Sequence, residues 1–557
     1  MAYLTIEEAA HRLGITPGTV RSKCRTGAIR ATKKTGRWLV YESEVPPGTK
    51  IDRLRGPLVS RLDFEKALNQ IELLDLIEEW VPDILRHEDE LSDRASVLKG
   101  AARRIQTNTF DPPRDVEVPK TPFFSRTGRL ISLEERVAFH ALVASFAQDI
   151  DLSMANSVYS ARLATTGKFF TRKGTLQWKR WLKHVRRHLH WGEPWLIKTD
   201  LTAYFDTIKF DLLDAELQSL AVPKDAREAI SAMVQAWSPL QGVGLLQGPD
   251  AARILGNLYL APVDAAMNLA QVNYSRYMDD IRITGNSKSS VIKGLRLLER
   301  ECRVRGLILS PNKTTLHSGK EAREADKESA RDAVLYFLRI GDLKIARRRM
   351  RRLLDDSISD DGHLNARNFR FSLWRLTKFR DHYVLPKVLV RLDDLAPAAS
   401  VVAEYLRPFV TKPTVEVAIS NYLTSPENVR HPHLVFFLFA VMLDHPGPLP
   451  SAWTDAAIEI MRDTNAPQEL RGIAANLAAR TKNSAVIGWL RSSAHTEKDV
   501  YFVRALLTAL ARVGALDIAT IKTMHTRGPL LARCVDYLSS TSSIPSLASV
   551  RERVPIP

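Results

Sequence analysis

The sequence predicts a multidomain chain: a mixed α+β core set between a small N-terminal helix-turn-helix with a wing and a C-terminal all-α array. Three observations predict it. The chain has 557 residues, well beyond the ~250 to 300 at which single cores stop growing. From about Thr107 to Leu316 short β-branched strands alternate with helices, whereas beyond Arg331 almost every apolar run has helical spacing. The first 45 residues carry their own order of helix, turn, helix and hairpin. The expected units are therefore 1–45, a linker and helical spacer at 46–106, the α+β core at 107–330 and the helical array at 331–557.

Composition narrows the partners. With 45% hydrophobic and 26% charged residues the chain reads as globular, and no stretch approaches the ~18 uninterrupted apolar residues of a membrane span. The opening MAYLTIEEAAHRLG lacks a basic region leading into an apolar core, so a cytoplasmic, membrane-free protein is expected. A formal net charge of +17 makes a polyanion, nucleic acid above all, the natural partner. Cys24, Cys302 and Cys534 are too far apart to suggest disulfides or a zinc cluster and are expected as buried, reduced thiols.

Taken in order, TIEEAAHRLG is a short amphipathic helix, ITPG a turn, TVRSKCRTG a second helix and IRATKKTGRWLVY a basic hairpin. Thr5 with Glu8 fits a capping box, and Thr16 followed by Pro17 marks the second helix start. This segment resembles the excisionase-type winged helix-turn-helix modules. The resemblance implies that Thr19, Arg21, Ser22 and Lys23 face a DNA major groove and that Lys33, Lys34 and Arg37 of the wing contact phosphates. Pro46, Pro47 and Gly48 form a linker, and a helical spacer follows. At the other end, FRFSLWRLTKF, LVFFLFAVML, ELRGIAANLAAR and VYFVRALLTALARVG recur at roughly 35 to 45 residues, which suggests stacked helix pairs like HEAT repeats.

The chemistry is concentrated in the core. WLIKTDLTAYF reads as a strand that delivers Asp200 at its end, and VNYSRYMDDIRITG as two strands around Tyr277, Met278, Asp279 and Asp280. Carboxylates at a strand end and at a neighbouring hairpin turn suit in-line phosphoryl transfer, in which two Mg²⁺ ions about 3.5 to 4 Å apart bind the attacking and leaving oxygens. Three other Asp-Asp pairs occur, at 355–356, 360–361 and 393–394, but none lies in a β-alternating run.

These elements resemble the reverse-transcriptase family from roughly Val118 to Leu316. Asp200-Leu-Thr-Ala-Tyr-Phe-Asp206 is similar to its first palm motif, Gly244-Leu-Leu-Gln-Gly248 with Asn257-Leu-Tyr-Leu260 to the second, and Tyr277-Met-Asp-Asp280 to the third. Gly306-Leu-Ile-Leu-Ser-Pro-Asn-Lys313 resembles the fourth, while Arg126 to Val137 and Tyr159-Ser-Ala-Arg162 resemble the basic fingers strands. The resemblance implies a right-hand polymerase with fingers and palm. It makes Asp200 and Asp279 ligands of two Mg²⁺ ions, with Mn²⁺ as an alternative, and Asp280 a supporting metal carboxylate. Phe205 becomes a steric gate beside Tyr204, with Gln247, Gly248, Tyr277 and Met278 around the nucleotide. Lys313 lies near the leaving pyrophosphate, and Lys120, Arg129 and Arg162 are candidates for triphosphate contacts.

The pattern also departs from the family. Leu246 stands where a Pro is common, Ala252-Arg253 replaces the usual Ser-Pro, and no recognisable thumb follows Leu316. A helical array placed directly after the palm resembles the abortive-infection and defence-associated reverse transcriptases of bacteria, some of which make DNA without a template. The expected partners are deoxynucleoside triphosphates, a DNA product and an RNA template; the oligomeric state, a homo-oligomer included, is left open. The alternatives are a templated reverse transcriptase of a mobile element or retron and a non-catalytic nucleic-acid-binding regulator.

Overall fold

The computed structural model describes residues 3–6, 9–10, 17–26, 28–34, 37–41, 57–77, 79–121, 124–164, 168–240, 242–325, 329–359, 364–426, 428 and 430–548. Glu8, Thr16 and the 46–48 linker lie outside them. Two compact units result. The first comprises residues 1–75, 98–113 and 131–327; the second comprises 76–97, 114–130 and 328–557.

In the first unit, strands β1 (Tyr3–Thr5), β2 (Ala31–Lys34) and β3 (Arg37–Tyr41) form an antiparallel sheet of order β1-β3-β2. The expected second helix is present as Pro17–Arg25. Leu4, Ile6, Val20, Cys24, Ile29 and Val40 close a small core under it, which is why Val20 and Cys24, four apart on the helix, are both apolar.

The core sheet has four antiparallel strands: β4 (Trp195–Asp200), β5 (Asn273–Tyr277), β6 (Asp280–Gly285) and β7 (Thr315–Ser318), in the order β5-β6-β4-β7. Side chains alternate across it. Arg282 lies over the Trp181 ring and Ser275 accepts from Trp181 Nε1 at 2.9 Å, so helix Gly174–His190 covers one face. Ile283 packs at Gly294 of helix Lys288–Val304, and Arg276 meets Asp264 of helix Asp250–Leu269, so these two helices cover the other. Burial on both faces leaves every residue from Ile281 to Gly285 of β6 buried, Ile281 and Ile283 towards one pair of helices and Arg282 and Thr284 on the opposite face.

The second unit is largely helical from Ser329 to Ser540, with one antiparallel hairpin, Arg114–Pro119 against Ser125–Leu130. Its helices form two rows. Ala366–Lys378, Ala399–Leu406, Pro432–Leu443, Gln468–Ala479, Val500–Arg512 and Pro529–Ser540 pack successively along one, and Leu385–Val390, Pro413–Thr424 and Ser451–Arg462 along the other. Residues 434–442 are buried all round, and an uninterrupted apolar sequence such as LVFFLFAVM is what a helix enclosed by neighbours requires. Residues 76–97 supply charge to this interior: Arg504, fully buried, donates to both Asp83 and Asp89. His87 bridges Glu79 and Glu90 at 3.0 Å each; burial alone would lower its pKa, but Glu79 and Asp83 outweigh it and push it up to about 10.

The three cysteines are free and buried, and among the described residues no helix is long and apolar enough to cross a membrane.

Candidate active site

Asp200 ends β4, Asp280 opens β6, and the register pairs them directly; Tyr277, the last residue of β5, pairs with Asp280 on its other side. Only Met278 and Asp279 join β5 to β6. A two-residue hairpin loop needs a positive φ at its first position, and Met278 has φ +59°. For a residue with a side chain that conformation costs about 1 to 3 kcal/mol, so the surroundings must hold it.

They do so through a buried network. The Met278 N–H donates to the Ser160 hydroxyl at 2.7 Å, and Arg276 donates to the Met278 carbonyl at 3.3 Å. Arg276 has no exposed surface; its guanidinium forks onto Asp264 at 2.8 and 2.7 Å and reaches Asn257 Oδ1 at 2.6 Å. The Asn257 amide donates to the Ser160 carbonyl at 2.8 Å, and the Tyr274 hydroxyl donates to Asp264 at 3.0 Å. Strand β5, helix Asp250–Leu269 and the loop at Ser160 are thus locked behind the acidic turn. Sequence reasoning did not single out Arg276, Asp264 or Ser160. The available signal was a pair of opposite charges, Arg276 between two tyrosines of a strand and Asp264 on the apolar stretch of a helix.

In front of the turn the charges are not balanced. Asp200 is mostly buried, and its carboxylate accepts from the Lys313 ammonium. Burial, then the charges of Asp200 and Asp280, push the Asp279 carboxyl up to about 6. Burial alone would lower the Lys313 pKa, but its hydrogen bond to Asp200 and the three carboxylates raise it above the ordinary lysine range. Lys313 sits on the short turn Pro311–Lys313, fixed to β4 by the Ser310 N–H donating to the Asp200 carbonyl at 2.7 Å. Asp280 is more open, with Arg282 3.8 Å away.

Among the described residues no three His, Cys, Asp or Glu side chains close into a metal cage. Asp200 and Asp279 still offer two hard oxygen donors that repel each other enough to shift a pKa. Mg²⁺ is usually held by one or two carboxylates with substrate phosphates rather than by an all-protein cage, so the donor set fits it.

The other expected residues divide. Phe205, about nine-tenths buried, stacks edge-on to Tyr204 and packs at Gly256, within 5 residues of Asp200 in sequence. The Leu245 N–H donates to the Phe205 carbonyl at 2.8 Å, which brings Gln247 and Gly248 beside this turn; Gly248 has φ +130°, a conformation that favours glycine. Tyr204 differs from expectation: it is buried with its hydroxyl on the Gly256 carbonyl, a packing residue. The Tyr277 hydroxyl is turned back to the Gly174 carbonyl at 3.1 Å, and the Met278 side chain is buried. Arg162 also differs, because its guanidinium is occupied by Asp151 and by the carbonyls of Ala155 and Val158. Lys120 and Arg129 lie on the hairpin of the second unit, where Arg129 faces Asp115 at 3.7 Å. In the N-terminal module Arg21 and Ser22 are exposed and the Thr19 hydroxyl donates to the Ser219 carbonyl at 3.1 Å. Lys23 corrects the expectation: three residues after Val20, it falls on the helix side that packs inward and is buried. Lys33, Lys34 and Arg37 occupy the ends of β2 and β3.

Residues 147–337 match the family model described as reverse transcriptase (RNA-dependent DNA polymerase), and residues 3–45 match that described as a helix-turn-helix domain. The chain therefore carries a reverse-transcriptase domain over residues 147–337. Among solved structures it is similar to an apo telomerase from Candida tropicalis truncated from its C-terminal domain, with 12% identity and a TM-score of 0.29 over 38% of this chain and 51% of that one. It is also similar to the telomerase of Candida albicans in complex with a fragment of telomeric RNA, with 11% identity and a TM-score of 0.30 over 69% and 70%. The chain thus spans about half the length of the first. Curated proteins gave no match.

Proposed function

We propose that the chain is a DNA polymerase of bacterial antiphage defence, cytoplasmic, that joins deoxynucleotides by two-metal transfer and works at least partly without a template. The observation that supports the chemistry best is the direct pairing of Asp200 with Asp280 beside a strained turn that presents Asp279. Two Mg²⁺ ions, or Mn²⁺, held at Asp200 and Asp279 would activate the attacking hydroxyl and neutralise charge on the leaving phosphate. Asp280 supports that pair from the neighbouring strand position. Phe205 limits space beneath the sugar and so favours deoxynucleotides, while Gln247 and Gly248 line the loop beneath the base. Lys313, whose side chain is 59% exposed, brings positive charge or a proton to the pyrophosphate edge.

The defence and template-free parts of the reading rest on organisation. The helical unit begins at Ser329, almost directly after β7, where a template-gripping thumb is expected. Its two rows of helices are read as HEAT-like repeats that replace the thumb, with the exposed Arg348 and Arg349 of helix Leu343–Asp355 at their start offered to phosphates while Arg347 and Arg351 are held by Asp381. The N-terminal module is read as a winged DNA-binding element, with the 31–41 hairpin as its wing.

The test supplies purified chain, Mg²⁺ and deoxynucleotides with no template, then treats the product with nuclease and with protease. DNA synthesis without added template is expected, and product that loses its protein on protease treatment would assign a tyrosine, serine or threonine hydroxyl as primer. Strict dependence on an added RNA template, with all product free of protein, overturns the template-free reading in favour of a templated reverse transcriptase. Phage plating on cells carrying Asp279→Ala/Asp280→Ala tests the defence role, which falls if protection is unchanged.

A further inference from the structure

We infer that the outer face of helix Gly174–His190 is a docking surface for single-stranded nucleic acid, separate from the acidic turn. The helix sequence, GTLQWKRWLKHVRRHLH, contains no carboxylate in 17 residues. Its inner side is fixed to the sheet by Trp181, Leu182, Val185 and Leu189, all buried, and by the Trp181 hydrogen bond to Ser275. The same periodicity turns Lys179, Arg180, Lys183 and Arg187 outward, all exposed. Positions 179, 183 and 187 form one row that rises about 6 Å per step and spans about 12 Å.

Two further observations point to the ligand. Among the described residues, Lys179, Arg180, Lys183 and Arg187 have no ion-pair partner. Elsewhere in this unit some exposed cations meet a carboxylate of their own helix, Arg300 with Glu301 at 2.9 Å, Arg303 with Glu299 at 2.6 Å and Lys224 with Glu228 at 3.5 Å, whereas helix Gly174–His190 has no carboxylate to offer its row. The row also ends at Trp191, which is 74% exposed and has the Arg187 guanidinium 5.3 Å from its ring centroid. Cations in line with a solvent-facing aromatic are what a single strand uses, its phosphates on the row and an unstacked base on the ring; a duplex keeps its bases stacked and leaves the ring without a function. At the other end of the helix the Gly174 carbonyl accepts from Tyr277, so a strand laid along the row heads toward the hairpin that carries Asp279.

The inference rests on the polymerase reading for the presence of a nucleic acid, and on this helix alone for its place. The test measures binding of labelled oligo(dT), oligo(U) and a duplex of equal length to the full chain, in chelator and without nucleotides, across a salt series. Each phosphate contact of a single strand contributes about 0.7 to the slope of log affinity against log salt, so Lys179→Gln/Arg180→Gln/Lys183→Gln should lower that slope by about 2 and weaken binding about 100-fold at 0.1 M salt. A loss confined to oligo(dT) assigns the strand as DNA, one confined to oligo(U) as RNA, and an equal loss assigns a site indifferent to the sugar. On the unaltered chain, photo-cross-linking with 5-iodouracil-substituted oligonucleotide should map to Trp191. Unchanged affinity and slope, an equal loss for the duplex, or cross-links only elsewhere would overturn the inference. Because metal and nucleotides are withheld, the result is independent of whether the chain polymerises.

Discussion

Both units bury an arginine completely, yet they use it differently. In the helical unit Arg504 lies between Asp83 and Asp89, nearby His87 lies between Glu79 and Glu90, and the buried Arg533 stands 3.9 Å from Glu90, so each buried charge meets an opposite one. In the sheet unit Arg276 is equally well matched by Asp264, but it also reaches forward to the Met278 carbonyl and so supports a turn whose own charges are left in excess. A compensated interior holds a fold together. An uncompensated cluster resting on a compensated one is arranged for a ligand.

The largest effect separates the two regions outright. Asp279→Ala/Asp280→Ala should abolish nucleotide incorporation while the unfolding transition stays cooperative, since it removes the repelled Asp279 carboxylate and an Asp280 whose 3.8 Å contact with Arg282 is half-exposed. Undiminished synthesis would end the comparison. Next come the arginines. Arg504→Met and Arg276→Met should each cost about 3 to 5 kcal/mol in denaturant unfolding, because a buried carboxylate loses its partner. Normalised to folded protein, kcat should drop only for Arg276→Met; an equal drop in both would show that the two networks play the same part.

A smaller effect runs in the opposite direction. The Asp279 carboxyl titrates near 6 in the folded chain against an ordinary value near 4, so ionising it opposes folding. Asp279→Asn should therefore stabilise the metal-free protein by about 1 to 3 kcal/mol above pH 6. The gain should shrink as pH falls from 6 to 4 and vanish below 4, where the carboxyl is protonated in both states. No gain at pH 7.5 would mean that the site is not electrostatically strained. The smallest change is Ser160→Ala, which leaves the Met278 N–H without its acceptor. About 1 kcal/mol of stability should be lost, with kcat lowered and KM little changed if the hydroxyl holds the turn.

What was legible in the sequence follows the range of the forces involved. Strand periodicity and a two-residue turn are local, so β4, the β5–β6 hairpin and the position of Asp279 could be read from ~15-residue windows. Lys313 came with its motif and does reach Asp200. The helical character beyond Arg331 was equally plain, because most apolar runs there, such as VYFVRALLTALARVG, recur at helical spacing. Side-chain use was not legible. Arg162 had the right type and place for a phosphate contact but is held by Asp151, and Lys23 lies one position away from an exposed face. The pairing of Arg276 with Asp264, and the grouping of residues 114–130 with helices far along the chain, depend on contacts that no local pattern encodes.

That grouping has a consequence for how the protein is made. Arg114 pairs with Glu469, 355 positions on, and Ser125 with His431, 306 positions on. At a synthesis rate of about 5 to 20 residues per second, the hairpin leaves the ribosome roughly 15 to 70 s before those partners exist. Throughout that interval Val116, Val118 and Leu130 have only the earlier residues around Trp80, Val81 and Leu85 beside them and lack the later helices of the core that buries them in the finished unit. The sheet unit can close while translation continues, whereas the helical unit must wait for its last helices. A ribosome that stalls in the 400s would release a chain with its acidic turn assembled and an apolar hairpin open to chaperones and proteases.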